Sequence, residues 1–159
     1  MDKKKAGAKV EVPIDLTKTQ NNLNDKSMFI KSAIFGEYFF DSNFTGNVFI
    51  DKMNRGGYQK WEFVNAGSPG VYYIRNAQTQ FVLSSNAKGD IFTDLLQNAS
   101  TQQWIIIPYL ENAIIRNFSN EFVLELSSRL LLYTTNIDEK KEYKTFLWKI
   151  SAARGEPRK

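Results

Sequence analysis

The sequence predicts an all-β fold in which three four-stranded units close into a barrel capped by hairpins. Three observations lead there. Trp61, Trp104 and Trp148 fall 43 and then 44 residues apart, the mark of an internal repeat. Upstream of each tryptophan, short β-branched and aromatic runs recur in the same order. No stretch combines a helical period with capping residues.

The elements follow unit by unit. Residues 29–32 lead through a turn to 38–40, a third strand covers 48–50, and Trp61 sits on a fourth. The second unit repeats this with 73–76, 81–83, 91–93 and Trp104, and the third with 114–117, 122–124, 130–133 and Trp148. Gly-, Asn- and Ser-rich turns such as Arg55-Gly56-Gly57-Tyr58 and Gly67-Ser68-Pro69-Gly70 separate the runs, for about twelve strands in all. Phe49 and Phe92 each precede their tryptophan by 12 residues, whereas Leu132 precedes Trp148 by 16, so the charged run 138–142 reads as a surface insertion and the register of Tyr133 stays open. A WD40 propeller has a similar repeat length, but three blades do not close a ring, and closure is what removes exposed strand edges.

At 159 residues the chain is about one domain, long enough to bury a core without staples. Its 42% hydrophobic and 14% aromatic content suits a globular fold. It has no cysteine and no histidine, which excludes disulfides, thiolate nucleophiles, cysteine- or histidine-ligated zinc and every Ser-His or Cys-His catalytic pair. We therefore expect no enzyme, no metal and no cofactor. No apolar run nears the ~18 residues that span a bilayer, and the lysine-rich start lacks the apolar stretch of a signal peptide, so the expectation is a soluble chain without membrane insertion.

The formal charge of +4 sits at the ends: residues 1–28 hold six lysines against four acids, and 151–159 hold three bases against one acid. The middle balances twelve bases with twelve acids, and nothing concentrates basic residues on one face as a nucleic-acid binder requires. Residues 1–28 read as a flexible arm and 151–159 as a tail, flanking repeats at about 29–66, 71–109 and 112–150. The arm's alternation of Val10, Val12, Ile14 and Leu16 also admits an edge-pairing segment. With so little apolar surface, deletion of 1–26 is expected to leave the melting temperature almost unchanged.

Two units end in Gln-x-Trp, as Gln59-Lys60-Trp61 and Gln102-Gln103-Trp104, while the third reads Phe146-Leu147-Trp148. A tryptophan that fills a shared core and a glutamine amide that satisfies turn backbone make this first a structural device. Threefold repetition with Gln-x-Trp resembles the ricin-type β-trefoil lectins over residues 29–150. The resemblance implies a β-trefoil and a galactose-like glycan as partner, bound by an aspartate ending the second strand, an aromatic on the third and amides nearby. Asp41, Phe49 and Asn47 occupy those positions in unit one, with Gln59 beside them and Tyr58 where an asparagine often stands. Unit two has Asp90, Phe92 and Gln102 as a weaker candidate site, with Ser84 in the aspartate's place; unit three has Glu125 there.

The function this implies is a carbohydrate-binding lectin module, in which class fall receptor-binding or haemagglutinin-type toxin components. The alternatives are a scaffold subunit of the same fold that docks other protein subunits, or a trefoil protease inhibitor presenting loop 136–144. Asn43-Phe44-Thr45, Asn98-Ala99-Ser100 and Asn117-Phe118-Ser119 match the glycosylation pattern, at about the frequency chance gives.

Overall fold

A computed structural model describes residues 12–137 and 144–153. It contains twelve strands: β1 (Lys26–Ser32), β2 (Tyr38–Ser42), β3 (Val48–Lys52), β4 (Trp61–Asn65), β5 (Val71–Asn76), β6 (Val82–Ser85), β7 (Ile91–Asp94), β8 (Trp104–Tyr109), β9 (Asn112–Asn117), β10 (Val123–Leu126), β11 (Leu132–Thr135) and β12 (Trp148–Ala152). Antiparallel pairing runs β1–β4–β5–β8–β9–β12 and back to β1, which closes a six-stranded barrel. The hairpins β2–β3, β6–β7 and β10–β11 each join that barrel through the first strand of their own unit. This is the β-trefoil, and closure leaves the barrel no free edge.

All three tryptophans are fully buried, in one core with Ile30, Phe40, Leu83, Ile106 and Leu124. A buried indole needs an acceptor. Each finds the same one: Nε1 of Trp61 donates to the Phe40 carbonyl (3.2 Å), that of Trp104 to Leu83 (2.9 Å) and that of Trp148 to Leu124 (3.0 Å). Phe40 also meets Trp61 and Trp148 edge to face, at 5.6 and 5.1 Å between centroids.

The cap hairpins lock to one another near the pseudo-threefold axis. The Gly46 carbonyl accepts from the Thr93 N–H and that of Gly89 from the Thr134 N–H, at 2.9 and 3.0 Å. Gly46 and Gly89 both have φ of +88°, and Leu130 takes the same place in unit three at +66°.

The arm differs from its sequence reading. β1 begins at Lys26, and the described part of the arm packs on the barrel instead of hanging free. Leu23 is buried in the core, and the Tyr72 hydroxyl joins the arm by accepting from the Leu23 N–H (3.2 Å) and donating to the Gln20 carbonyl (2.8 Å). Ile14 and Leu16 lie against Ile107, Tyr109 and Phe146, and Tyr109 Oη donates to the Val12 carbonyl. Thr19 comes so near Gly70 that a Cβ there would stand 2.2 Å from the threonine Cβ, and Gly70 has φ of +78°, so only glycine fits. The physical reason is that the partners are barrel side chains remote in sequence. Residues 1–11 and 154–159 lie outside the described residues.

Trp104→Ala is predicted to cost about 3–5 kcal/mol, because it empties a core site and orphans the Leu83 carbonyl. Thermal or chemical denaturation checks this, and a variant melting with the wild type would remove Trp104 from the core. Contrary to a free arm, Leu23→Ala should cost about 2–5 kcal/mol; an unchanged denaturation midpoint would restore the free-arm reading.

Candidate functional site

β2 and β3 place the first candidate residues. Asp41 lies directly opposite Phe49 in their register, so an acid and an aromatic share one end of the hairpin. The same register puts Phe92 opposite Ser84 and Tyr133 opposite Glu125. Tyr133 is thus the unit-three counterpart of Phe49, and counting back through the insertion to Leu132 was off by one. Each pair spans a turn of equal length, so the extra residues all fall after β11.

Asp41 is only 4% exposed and firmly held. Its Oδ1 accepts from the Ser42 N–H at 2.8 Å, its Oδ2 from Gln59 Nε2 at 3.1 Å, and the Asn54 side chain bonds it as well. Burial pushes its pKa above the usual carboxylate range; those three hydrogen bonds pull the other way, and nearby Asp51 adds to the rise. Gln59 is fully buried, with Nε2 also donating to the Lys52 carbonyl (2.9 Å) and Oε1 accepting from the Asn54 N–H (2.9 Å). The Gln59 amide is therefore engaged in holding Asp41 and the neighbouring backbone.

Around that carboxylate the surface is open. Phe49 is 37% exposed. Asn47 is exposed, though its Nδ2 donates to Thr45 Oγ1 (3.2 Å) and its N–H to Asn43 Oδ1 (3.2 Å). Tyr58, half-buried, meets the Phe44 ring edge to face at 5.9 Å. The structure brings all five unit-one residues to the β2–β3 cap and the single 3-10 turn Gly57–Gln59 after it.

Unit two repeats the frame without the charge. Gln102 Nε2 donates to the Leu95 carbonyl (2.8 Å) and to Ser84 Oγ (3.3 Å), and Gln102 Oε1 accepts from the Gln97 N–H (2.8 Å), matching Gln59 bond for bond. Asp90 stands where unit one has Asn47, and its carboxylate accepts from Asn86 Nδ2 (3.0 Å) inside its own turn. Phe92 is half-buried and bridges to Asn47 of unit one. In unit three Glu125 is buried and accepts from Thr145 Oγ1, so a hydroxyl replaces the missing glutamine amide.

Sequence reasoning passed over Asn54 and Phe44. Asn54 had no motif to flag it; Phe44 was read only within a glycosylation pattern. Of those patterns, Asn117 is fully buried, with Nδ2 on the Thr101 carbonyl and Oδ1 on the Ser119 N–H, which leaves no amide to modify. Of the inhibitor-like loop, 138–143 lie outside the described residues. A cleft of about 400 Å³ beside the arm, between Gln20, Leu23, Lys26 and Met28, contains none of the candidate residues.

No family model matches the chain, and no curated protein matches it in sequence. Among solved structures it is similar to ThreeFoil, a designed 3-fold symmetric protein, with a TM-score of 0.70 at 13% identity over 79% of this chain and 97% of that one. It is similar to the Polyporus squamosus lectin bound to a Neu5Acα2-6Galβ1-4GlcNAc epitope, with a TM-score of 0.71 at 14% identity over 81% of this chain and 49% of that one. SeviL bound to asialo-GM1 saccharide aligns with a TM-score of 0.66 at 15% identity over 82% of this chain and 99% of that one. At these identities the likeness is one of fold, and it establishes the β-trefoil.

Because the folded state raises the Asp41 pKa, the carboxyl favours folding most when protonated, and this contribution is lost as pH rises through the folded value. The stability of Asp41→Asn relative to wild type should therefore shift in the variant's favour between about pH 3 and neutrality. Denaturation at several pH values measures it; a shift in the opposite direction contradicts the burial effect.

Proposed function

We propose that the chain is a non-catalytic carbohydrate-binding module that takes a galactose-like residue in unit one. The observation that carries this is the pairing of a fixed carboxylate, Asp41, with an exposed aromatic ring, Phe49, across one hairpin. A carboxylate accepts charge-assisted hydrogen bonds from two vicinal hydroxyls, and an aromatic face covers the C–H face of the same ring. Its three internal donors leave the Asp41 carboxylate one acceptor position for a hydroxyl. Asn47 and Tyr58 border the position, and Gln59 holds it without touching sugar. Two proteins of similar fold, the Polyporus squamosus lectin and SeviL, have been solved with saccharides bound, which supports the reading.

Such a shallow site binds weakly alone, so useful avidity requires several copies or further subunits, as in the recognition part of a toxin-like assembly. A scaffold subunit is the second reading, favoured by the serine at position 84 and the Glu125–Thr145 bond, which leave two units without a comparable carboxylate.

Removing the charge and one acceptor oxygen in Asp41→Asn should weaken glycan binding by about tenfold to a hundredfold. Ser84→Ala should leave binding unchanged. A glycan array followed by titration with galactose-terminated and sialylated oligosaccharides tests both. Equal binding by Asp41→Asn and wild type removes the unit-one site, and a blank array beside a stoichiometric protein partner from the native source establishes the scaffold.

A further inference from the structure

A row of aromatic rings runs from Tyr58 through two residues that the proposed site does not use, Phe44 and Phe81. Phe44, in the β2–β3 turn, stands edge to face with Tyr58 on one side (5.9 Å, 88°) and with Phe81, at the start of the second unit's hairpin, on the other (6.3 Å, 85°). Tyr58 and Phe81 are half-buried, yet Phe44 stays 58% exposed between them. Two perpendicular contacts fix its ring without covering it.

The fold does not call for this ring. The three turns between the paired positions Asp41–Phe49, Ser84–Phe92 and Glu125–Tyr133 have the same length, so Ala87 and Ser128 are the counterparts of Phe44. Thr101 and Thr145 are likewise the counterparts of Tyr58. Those turns form with small polar or aliphatic residues, so an exposed phenylalanine at this turn position is a feature of unit one alone. Unit one is also the unit in which an aspartate faces an exposed phenylalanine. The row is continuous with that pair: Tyr58 precedes Gln59, whose amide holds Asp41, and Phe44 lies three residues beyond Asp41.

We infer that Phe44, braced by Tyr58 and Phe81, is a second sugar subsite, which makes the ligand an oligosaccharide extended from the residue at Asp41 toward unit two. This subsite rests on the unit-one site being a sugar site. A pyranose presents an apolar C–H face, and an immobilised, accessible ring receives it with little loss of side-chain freedom. Asn43 gives this rim its rigidity: its Oδ1 accepts from the Thr45 N–H (3.0 Å) and the Asn47 N–H (3.2 Å), holding the turn that carries Phe44.

The test titrates wild type and Phe44→Ala, the residue that unit two carries there, with methyl β-galactoside, lactose and a longer β-galactosyl trisaccharide. Wild type should bind the longer sugars about 3- to 10-fold more tightly than the monosaccharide. Phe44→Ala should lose that gain and keep its monosaccharide affinity within about twofold. Saturation-transfer NMR on the wild type provides a reading independent of any variant: protons of the second sugar ring should receive saturation. Wild type with no gain from extension, or Phe44→Ala retaining it, overturns the subsite while leaving Asp41 in place. A blank with all three sugars, the monosaccharide included, overturns the unit-one site and the subsite with it.

Discussion

Three indole N–H groups, each donating to a carbonyl inside the first strand of a cap hairpin, tie the barrel to its hairpins. An indole buried without an acceptor would be strongly unfavourable, so the strand carrying each tryptophan and the hairpin strand opposite it must come together in one register. The same register determines which side chains face away from the core. Phe40, Leu83 and Leu124 turn into the core, so the next residue, Asp41, Ser84 or Glu125, must face the other way, toward the buried amide or hydroxyl that precedes the tryptophan. Core and candidate site are thus two sides of one constraint. A change that shifts a tryptophan also misplaces the carboxylate.

The repeat was legible because tryptophan spacing and strand order survive where the remaining residues diverge. Distances measured along a continuous hairpin carried over well; those measured across an insertion did not, as Tyr133 illustrates. Its position follows from Glu125 along a turn of fixed length, whereas counting from Trp148 runs through the inserted loop. The third unit held a second lesson. The absent glutamine and the lengthened carboxylate looked like independent departures in the sequence, yet Thr145 and Glu125 meet in one hydrogen bond. The packing of the arm is illegible for another reason: one leucine among asparagines has no local pattern, and its partner Tyr72 lies 49 residues away.

The frame is threefold but its surface is not. The arm covers the region of Gly70, Tyr72 and Ile106, which belong to the second unit, while the exposed aromatics and the fixed aspartate gather on the cap of the first. Repetition explains how the chain folds, and departures from repetition locate where its units differ in what they offer to solvent. Asp41 shows the tension plainly. Burial opposes its charge, and a rigid set of donors offsets only part of that, so its environment is specialised in a way that Ser84, bonded to a homologous amide, avoids.

Barrel closure has a consequence for biosynthesis. β1 pairs with β12, joining Met28 to Ala152 across 124 residues, although β1 meets β4 much earlier in the chain. At a synthesis rate of about 5–20 residues per second, the open side of β1 waits roughly 6–25 s for its partner. Throughout that interval it offers unpaired amides and carbonyls to any neighbouring nascent strand. The lysines at 26 and 31 are the charges on β1 itself, and their mutual repulsion between copies disfavours pairing of one unfinished chain with another. The strand that seals the ring thus sets both the tempo of folding and the period in which the chain is most exposed to misassembly.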